Sequence, residues 1–446
     1  MLITHAKVAT LGDDPRLLDD GAILIREDKI AAVDESAALT ARYPDETRLD
    51  AEGQLALPAA LCGHTHFYGA FARGWSYPGP PAKGFAEILE RLWWRLDTLL
   101  TLEDVRASAQ VCLVDAIRHG TTTLVDHHAS PGAIEGSLDV IAEEVIRSGL
   151  RASLCYEVTD RGGAARAEAG MAENVRFLRR LERAPHPQLA ASFGLHASLT
   201  LSDETLAQAV ALREGLDAGF HIHAAEGRED VEDSLEKSGQ RVIHRLHNAG
   251  ILGPQTVVAH AVHVDESEMN VLADTRTWVT HQPRSNMNNA VGTAQVETML
   301  EHGVRMALGN DGFSNNMFAE MKAAYLVHKL AQGDPRAMPA DLVFRLAYDG
   351  NAALARVFWP DQALGALTPG AMADLVLIDY RPTTPMTAGN LPWHLLFGYE
   401  ASMITTTISA GRVLMRDRQL VTLDEERITA VARERAAAVW ARAERE

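Results

Sequence analysis

The sequence predicts an α/β fold: a (β/α)8 TIM-type barrel with a small β-sandwich domain built from both chain ends. Three observations point there. Eight short β-rich runs alternate with helical stretches through the middle of the chain. The runs are apolar throughout, as in parallel strands covered on both faces. β-like text precedes the first of them and returns after the last. Eight repeats over roughly 250 residues suit a closed barrel, with an open doubly wound sheet as the alternative.

Residues 1–57 form the first segment of the β domain. LITHAKVATL and GAILIREDKIAAVD are short β-like runs, with Gly21 and the Glu27-Asp28 pair marking turns. The barrel is assigned to 58–364. Its runs are LALPAALCG (55–63), TTTLVD (121–126), RASLCYEV (151–158), LAASFGL (189–195), GFHIHA (219–224), TVVAH (256–260), TWVTH (277–281) and RMALG (305–309). Helix signals separate them. Thr101 heads TLED as an N-cap before VRASAQVCLVDAI, and Gly120 follows as the C′ glycine. Ser202 caps DETLAQAVALREGL, and Gly250 closes SLEKSGQRVIHRLHNAG. Residues 365–420, with ALGALTPGAMADLVLIDY and SMITTTISAGRVLMRD, complete the N-terminal sheet as the second segment of the β domain. The tail, 421–446, reads as one surface helix whose charges form a solvated face.

A chain of 446 residues with 47% hydrophobic side chains buries a large core. Its 42 basic against 60 acidic residues give a net charge of -18, which repels phosphate backbones and anionic lipid, so no nucleic-acid or membrane partner is expected. Cys62, Cys112 and Cys155 are scattered, without the spacing of a disulfide framework or a thiolate zinc site, and a reducing cytoplasm is the expected location. No stretch approaches the roughly 18 apolar residues of a spanning helix.

In such a barrel the loops at the C-terminal strand ends gather the site. The first run leads into His64 and His66, whose two-residue spacing puts both imidazoles on one side of a strand. HIHAAE gives His221, His223 and Glu226, VVAH ends in His260, and LGNDG carries Asp311. Singly, a His-x-His pair reads equally well as packing, His221 as filler of the barrel interior, and His260 or Asp311 as an ordinary turn or capped element. Jointly, buried imidazoles and a carboxylate need partners, and one divalent ion supplies a partner to all. Three histidines and one aspartate suit zinc, iron or another first-row ion. Trp94, in ILERLWWRLDTLL, is placed to stack on a flat ring, with helix packing the alternative for Trp93 and Trp94. DHHASP offers His127 and His128, of which an adjacent pair cannot both point inward from a strand. Arg161 and Arg284 are loop residues that suit a carbonyl or carboxylate or an ordinary structural role. Asn286 and Asn288 are expected to fix their loop through backbone bonds.

LPAALCGHTH, HIHAAE, VVAH, HQPRSNMNN, LGNDGFSNN and LTPGAMADLVLID resemble, in this order and spacing, the metal-dependent amidohydrolase superfamily, most closely its deaminase and chlorohydrolase branch. The resemblance implies one divalent metal per chain, zinc or iron, held by His64, His66, His223 and Asp311. It also implies a proton-shuttling acid at Glu226, a histidine beside the attacking water at His260, and acceptance of that water's proton by Asp311. FGLHASLTLSDE resembles the branch's fourth-strand segment, which makes His196 a substrate contact beside Trp94 and His127. Two departures stand out. The fourth strand lacks the lysine of two-metal members, so a single metal is expected, and Ser198-Leu199 replaces a frequent proline-aromatic pair. The implied reaction is deamination of a small aminated heterocycle such as a purine or pteridine, with release of ammonia. Dechlorination or opening of a cyclic amide at the same site is the alternative, which Glu226 disfavours because chloride leaves without a proton. A metal-free binding scaffold is the third reading. The resemblance further implies a homodimer or larger homo-oligomer.

Overall fold

A computed structural model describes residues 1–76 and 79–445, so Glu446, the last residue of the expected tail helix, lies outside the described residues. The first apolar run is not one strand but two. Leu55–Pro58 pairs with Leu2–Ala9 and Leu375–Ile378 in an outer sheet, while Ala60–Thr65 (β1) opens the barrel. The ladder partner changes between adjacent residues: Ala59 N–H is donated to Asp374 and Ala60 N–H to Gly120.

The other barrel strands follow the predicted runs: Thr121–Asp126 (β2), Arg151–Leu154 (β3), Phe193–Ala197 (β4), Phe220–Ala224 (β5), Val257–His260 (β6), Trp278–His281 (β7) and Arg305–Leu308 (β8). They pair parallel in two arcs. One is β1-β2-β3 extended by Leu189–Ala191, the other β4-β5-β6-β7-β8. Leu189–Ala191 leads into β4 across Ser192, whose N–H is donated back to Leu154, and Val158 bridges Leu195. The opposite seam closes where Thr65, at the end of β1, bridges Asp311 just past β8. The circle therefore shuts at the residues singled out for chemistry.

Strands from both chain ends form one sheet. Ile23, Ile30 and Val33 share an apolar cluster with Leu375, Leu377 and Ile408, which belong to strands distant from them in the hydrogen-bonding order. The sheet thus folds over on itself to enclose that core, and a bridge from Lys29 to Met372 stitches its edge. Thr101 and Asp104 form the expected capping box at Leu102–Arg118. Gly120 has φ +68°, and a Cβ there would lie 2.5 Å from Val376 Cγ1, so both backbone and space require glycine. The stretch before Gly250 is broken at Gly239 (φ +71°) into helices Arg228–Ser238 and Val242–Asn248. The C-terminal helix Glu425–Ala443 is less free than a solvated face implies. Arg435 and Arg442 reach Asp104, Glu425 pairs with Arg118, and Trp440 Nε1 donates to Phe71 O at 2.9 Å. Among the described residues no helix is long and apolar enough to cross a membrane.

Candidate functional site

At the C-terminal mouth of the barrel, His64 and His66 project from the end of β1, His223 from β5, and Asp311 from the turn after β8. Each imidazole has its Nδ1 occupied. His66 Nδ1 donates to His127 O at 2.6 Å, His223 Nδ1 donates to His196 O at 2.8 Å, and His64 Nδ1 lies 2.9 Å from His221 Nε2. Fixing one ring nitrogen turns the other toward a common point. His66 Nε2 is 3.2 Å from His223 Nε2 and 2.7 Å from Asp311 Oδ1, while His64 Nε2, 3.4 Å from Asp311 Oδ1, is buried without a hydrogen-bond partner. An orphaned nitrogen amid three imidazoles and a carboxylate is what a divalent cation satisfies, so the residues fit the ion that the sequence calls for.

The electrostatics agree. Burial drives His64 down to about 3 and holds His223 well below the ordinary range, keeping both as neutral donors. Burial also works against ionisation of Asp311, but His66 and His64 outweigh it and hold the carboxylate well below its usual range. Burial is likewise opposed at His66, where Asp311 and Glu157 push the imidazole upward; a proton there stands in for the cation's charge.

Beside this cluster Glu226 and His260 face each other, with Glu226 Oε2 3.3 Å from His260 Nε2. Burial, reinforced by Asp311, raises Glu226 well above the carboxylate range, and burial lowers His260, so both shifts favour the uncharged forms. Local backbone strain aims these groups. His260 and Asp311 have φ of 75° and 57°, and Ala225, the neighbour of Glu226, has φ 50°. Non-glycine residues hold such angles only where their surroundings over-determine them. Asp230 does so for Ala225: it accepts Ala225 N–H at 2.6 Å and Leu199 N–H at 2.7 Å, tying β5 to the segment after His196.

A short helix, Pro283–Asn288, and the residue after it meet three of these groups at once. Ser285 Oγ donates to Asp311 Oδ2, Asn286 Oδ1 lies 2.8 Å from His260 Nδ1, and Asn289 Nδ2 lies 3.2 Å from Glu226 Oε1. Asn286 therefore holds a catalytic candidate rather than its own loop. Asn288 supports the next residue, donating to Asn289 Oδ1 at 3.1 Å.

His66, Tyr68, Phe85, Leu89, Trp93, His196, His223, Glu226, Asn289 and Asp311 line one pocket over the cluster. Trp94 is not on that wall. A π-helical turn over Leu89–Trp93 rotates the helix register and brings Trp93 to the pocket, while Trp94 packs edge-on to His196 and under Arg161 in a side cavity. His127 also stays out of the pocket. It lies fully buried behind the cluster, stacked on His221 with centroids 4.3 Å apart, because the β2 end points it into the barrel. His128 turns the other way, toward Ser130 at 2.9 Å. Arg161 and Arg284 are spent on Asp97 and Glu320.

Several supporting residues carry only a weak mark in the sequence, or none. His221, which reads as filler, orients His64, and HIH was its signal. Ser285 and Asn289 sit in HQPRSNMNN, whose density of short polar side chains was the signal. Glu157, buried and 3.2 Å from His66 Nδ1, had none.

A parallel barrel with three imidazoles, an aspartate and a glutamate at its mouth fits a hydrolase that works with a metal-activated water. The sequence matches the Amidohydrolase family over residues 55–414. It is 32% identical over 447 residues to a 5'-deoxyadenosine deaminase of Methanosarcina mazei, covering 99% of both chains. It is 34% identical over 430 residues to a 5-methylthioadenosine/S-adenosylhomocysteine deaminase of Haloarcula marismortui, covering 94% of both. The fold matches a zinc-bound adenosine deaminase from Xanthomonas campestris with TM-score 0.86 and 24% identity over 98% of both chains. The chain belongs to the amidohydrolase family.

Proposed function

We propose that the protein deaminates the exocyclic amine of a purine ring, with 5'-modified adenosines as the first candidates, and that His64, His66, His223 and Asp311 hold one divalent ion, zinc, per chain. The observation that carries the reading is Glu226, facing His260 at 3.3 Å, set against the orphaned His64 Nε2, in a pocket walled by Tyr68, Phe85 and Trp93. When bound, the ion supplies Lewis acidity that brings a water's pKa toward about 7. Asp311, held ionised, is the base that takes the attacking water's proton. His260, with Nδ1 tied to Asn286 and Nε2 beside Glu226, orients the attacking water. Glu226 delivers its proton to the ring nitrogen beside that carbon, where charge would otherwise build up. Return of a proton to the amine then expels ammonia and leaves a carbonyl. The aromatic walls suit a flat ring and keep bulk water from it. Support for this choice of substrate comes from the two deaminases that match 99% and 94% of the chain.

The homo-oligomer that the resemblance implies is supported by exposed Leu326, Leu330, Trp393 and Phe397 on two adjoining helices.

The test is elemental analysis of purified protein followed by an ammonia-release screen of 5'-deoxyadenosine, 5'-methylthioadenosine, S-adenosylhomocysteine, guanine, pteridines and aminotriazines. Near-stoichiometric metal with ammonia from an adenosine supports the proposal. Metal with no ammonia from any purine overturns it, and chloride release from chlorotriazines in its place supports the alternative.

A further inference from the structure

We infer that Asn289 is a positioning residue that decides which oxygen of Glu226 carries the proton. The inference rests on the reading of Glu226 as proton carrier. The Asn289 side chain is 8% exposed in the pocket wall, and Ser285, whose hydroxyl is donated to Asp311, can only accept from it, which turns the Asn289 amide N–H toward Ser285 and Glu226. Its Nδ2 lies 3.2 Å from Glu226 Oε1 and 3.3 Å from Ser285 Oγ, and Asn288 Nδ2 donates to its Oδ1 at 3.1 Å, in keeping with that orientation.

A carboxylic acid has two unlike oxygens. Its carbonyl oxygen accepts a hydrogen bond far better than its hydroxyl oxygen, so a fixed N–H at Oε1 favours C=O there and O–H at Oε2. Oε2 is the atom 3.3 Å from His260 Nε2. Asn286 Oδ1 takes the N–H of His260 Nδ1, which leaves Nε2 with a lone pair toward that hydroxyl. Two side chains three residues apart on one turn thus set both ends of the proton's position: Asn286 the imidazole tautomer, Asn289 the carboxyl tautomer. After Glu226 gives up its proton, the same Asn289 N–H stabilises the carboxylate against nearby Asp311. No bond to substrate is needed for either effect, so Asn289 acts through Glu226.

The test uses the metal-loaded enzyme with Asn289→Leu, Glu226→Gln and the double variant. The carbonyl band of protonated Glu226, identified in infrared difference spectra by its loss in Glu226→Gln, is expected to move to higher frequency in Asn289→Leu as its hydrogen bond disappears. With 5'-deoxyadenosine, Asn289→Leu is expected to lower kcat about tenfold with KM little changed, the effect of one hydrogen bond to a group that becomes charged. In the Glu226→Gln background the same substitution is expected to change kcat less than about twofold, because its route of action is already gone. Asn289→Gln, which retains the amide donor, is expected to recover part of the loss. An unmoved band, or equal loss of kcat in both backgrounds, overturns the inference. If Glu226→Gln itself turns over normally, the functional reading fails instead, and the infrared band still decides whether Asn289 orients the carboxyl.

Discussion

Replacing Glu226 by glutamine removes a transferable proton and little else. Glutamine is isosteric, its carbonyl oxygen can accept the Asn289 N–H at the 3.2 Å position of Oε1, and its amide nitrogen can donate toward His260 Nε2 where Oε2 stood at 3.3 Å. Burial and Asp311 hold the carboxyl it replaces well above the usual carboxylate range. The fold and the four candidate ligands therefore lose no charge partner, and stability is expected to stay within about 0.5 kcal/mol. What disappears is protonation of the ring nitrogen, worth about 10² to 10⁴ in rate, or ~2.7 to 5.4 kcal/mol in the barrier. The measurement is ammonia release at saturating substrate, alongside metal content and melting temperature. Metal retained, melting unchanged and kcat down by at least about a hundredfold is the expected outcome. A kcat within about threefold of wild type with metal retained would refute the reasoning, and a rise in KM alone would reduce Glu226 to a binding group.

Asp311→Ala is expected to lose metal and turnover together, whereas Ser285→Ala, which removes only the hydroxyl that donates to Asp311, lowers metal affinity about 10- to 100-fold, as a metal titration would show. Stripping the ion with a chelator should lower the melting temperature, since the ion binds the folded cluster and leaves Asp311, His64 and His66 to repartition one proton among them. Gly120→Ala is expected to cost about 1–2 kcal/mol from its left-handed backbone alone, with further loss from the Val376 contact, read from denaturant melts. For acid stability, burial lowers His128 to about 3 and His328 to about 4 from 6.5. Between those values the unfolded chain binds more protons than the folded one. Stability is therefore full above pH 6.5 and falls below it, by ~1.4 kcal/mol per pH unit for each such histidine. His128→Asn should flatten the fall in melting temperature between pH 6 and 4, and an unchanged slope would show that His128 is not buried neutral.

The sequence carried the fold because its signals were local and redundant. Apolar runs without alternation, Thr101 with its capping box, and Gly120 after a helix each state a secondary-structure choice that short-range sterics and hydrogen bonding enforce. Strand period and strand order bring His64, His66, His221, His223, His260 and Asp311 toward one mouth, whereas the choice of His64, His66, His223 and Asp311 among them as ligands came from the family resemblance. The register of Trp93 and Trp94 was not legible, since a π-helical turn adds a residue to a helix without any mark in its composition. Nor was the division of LALPAALCG, where one peptide separates Ala59, bonded to Asp374, from Ala60, bonded to Gly120.

The sequence by itself determined which residues have the chemistry to hold an ion and move a proton. Only the tertiary structure decided how each is held. Asn289 meets Glu226 across 63 residues of chain and Ser285 meets Asp311 across 26. His221 backs His64 across 157. Such pairings depend on distances between side chains of different strand ends, which closure of the barrel sets and no local pattern encodes.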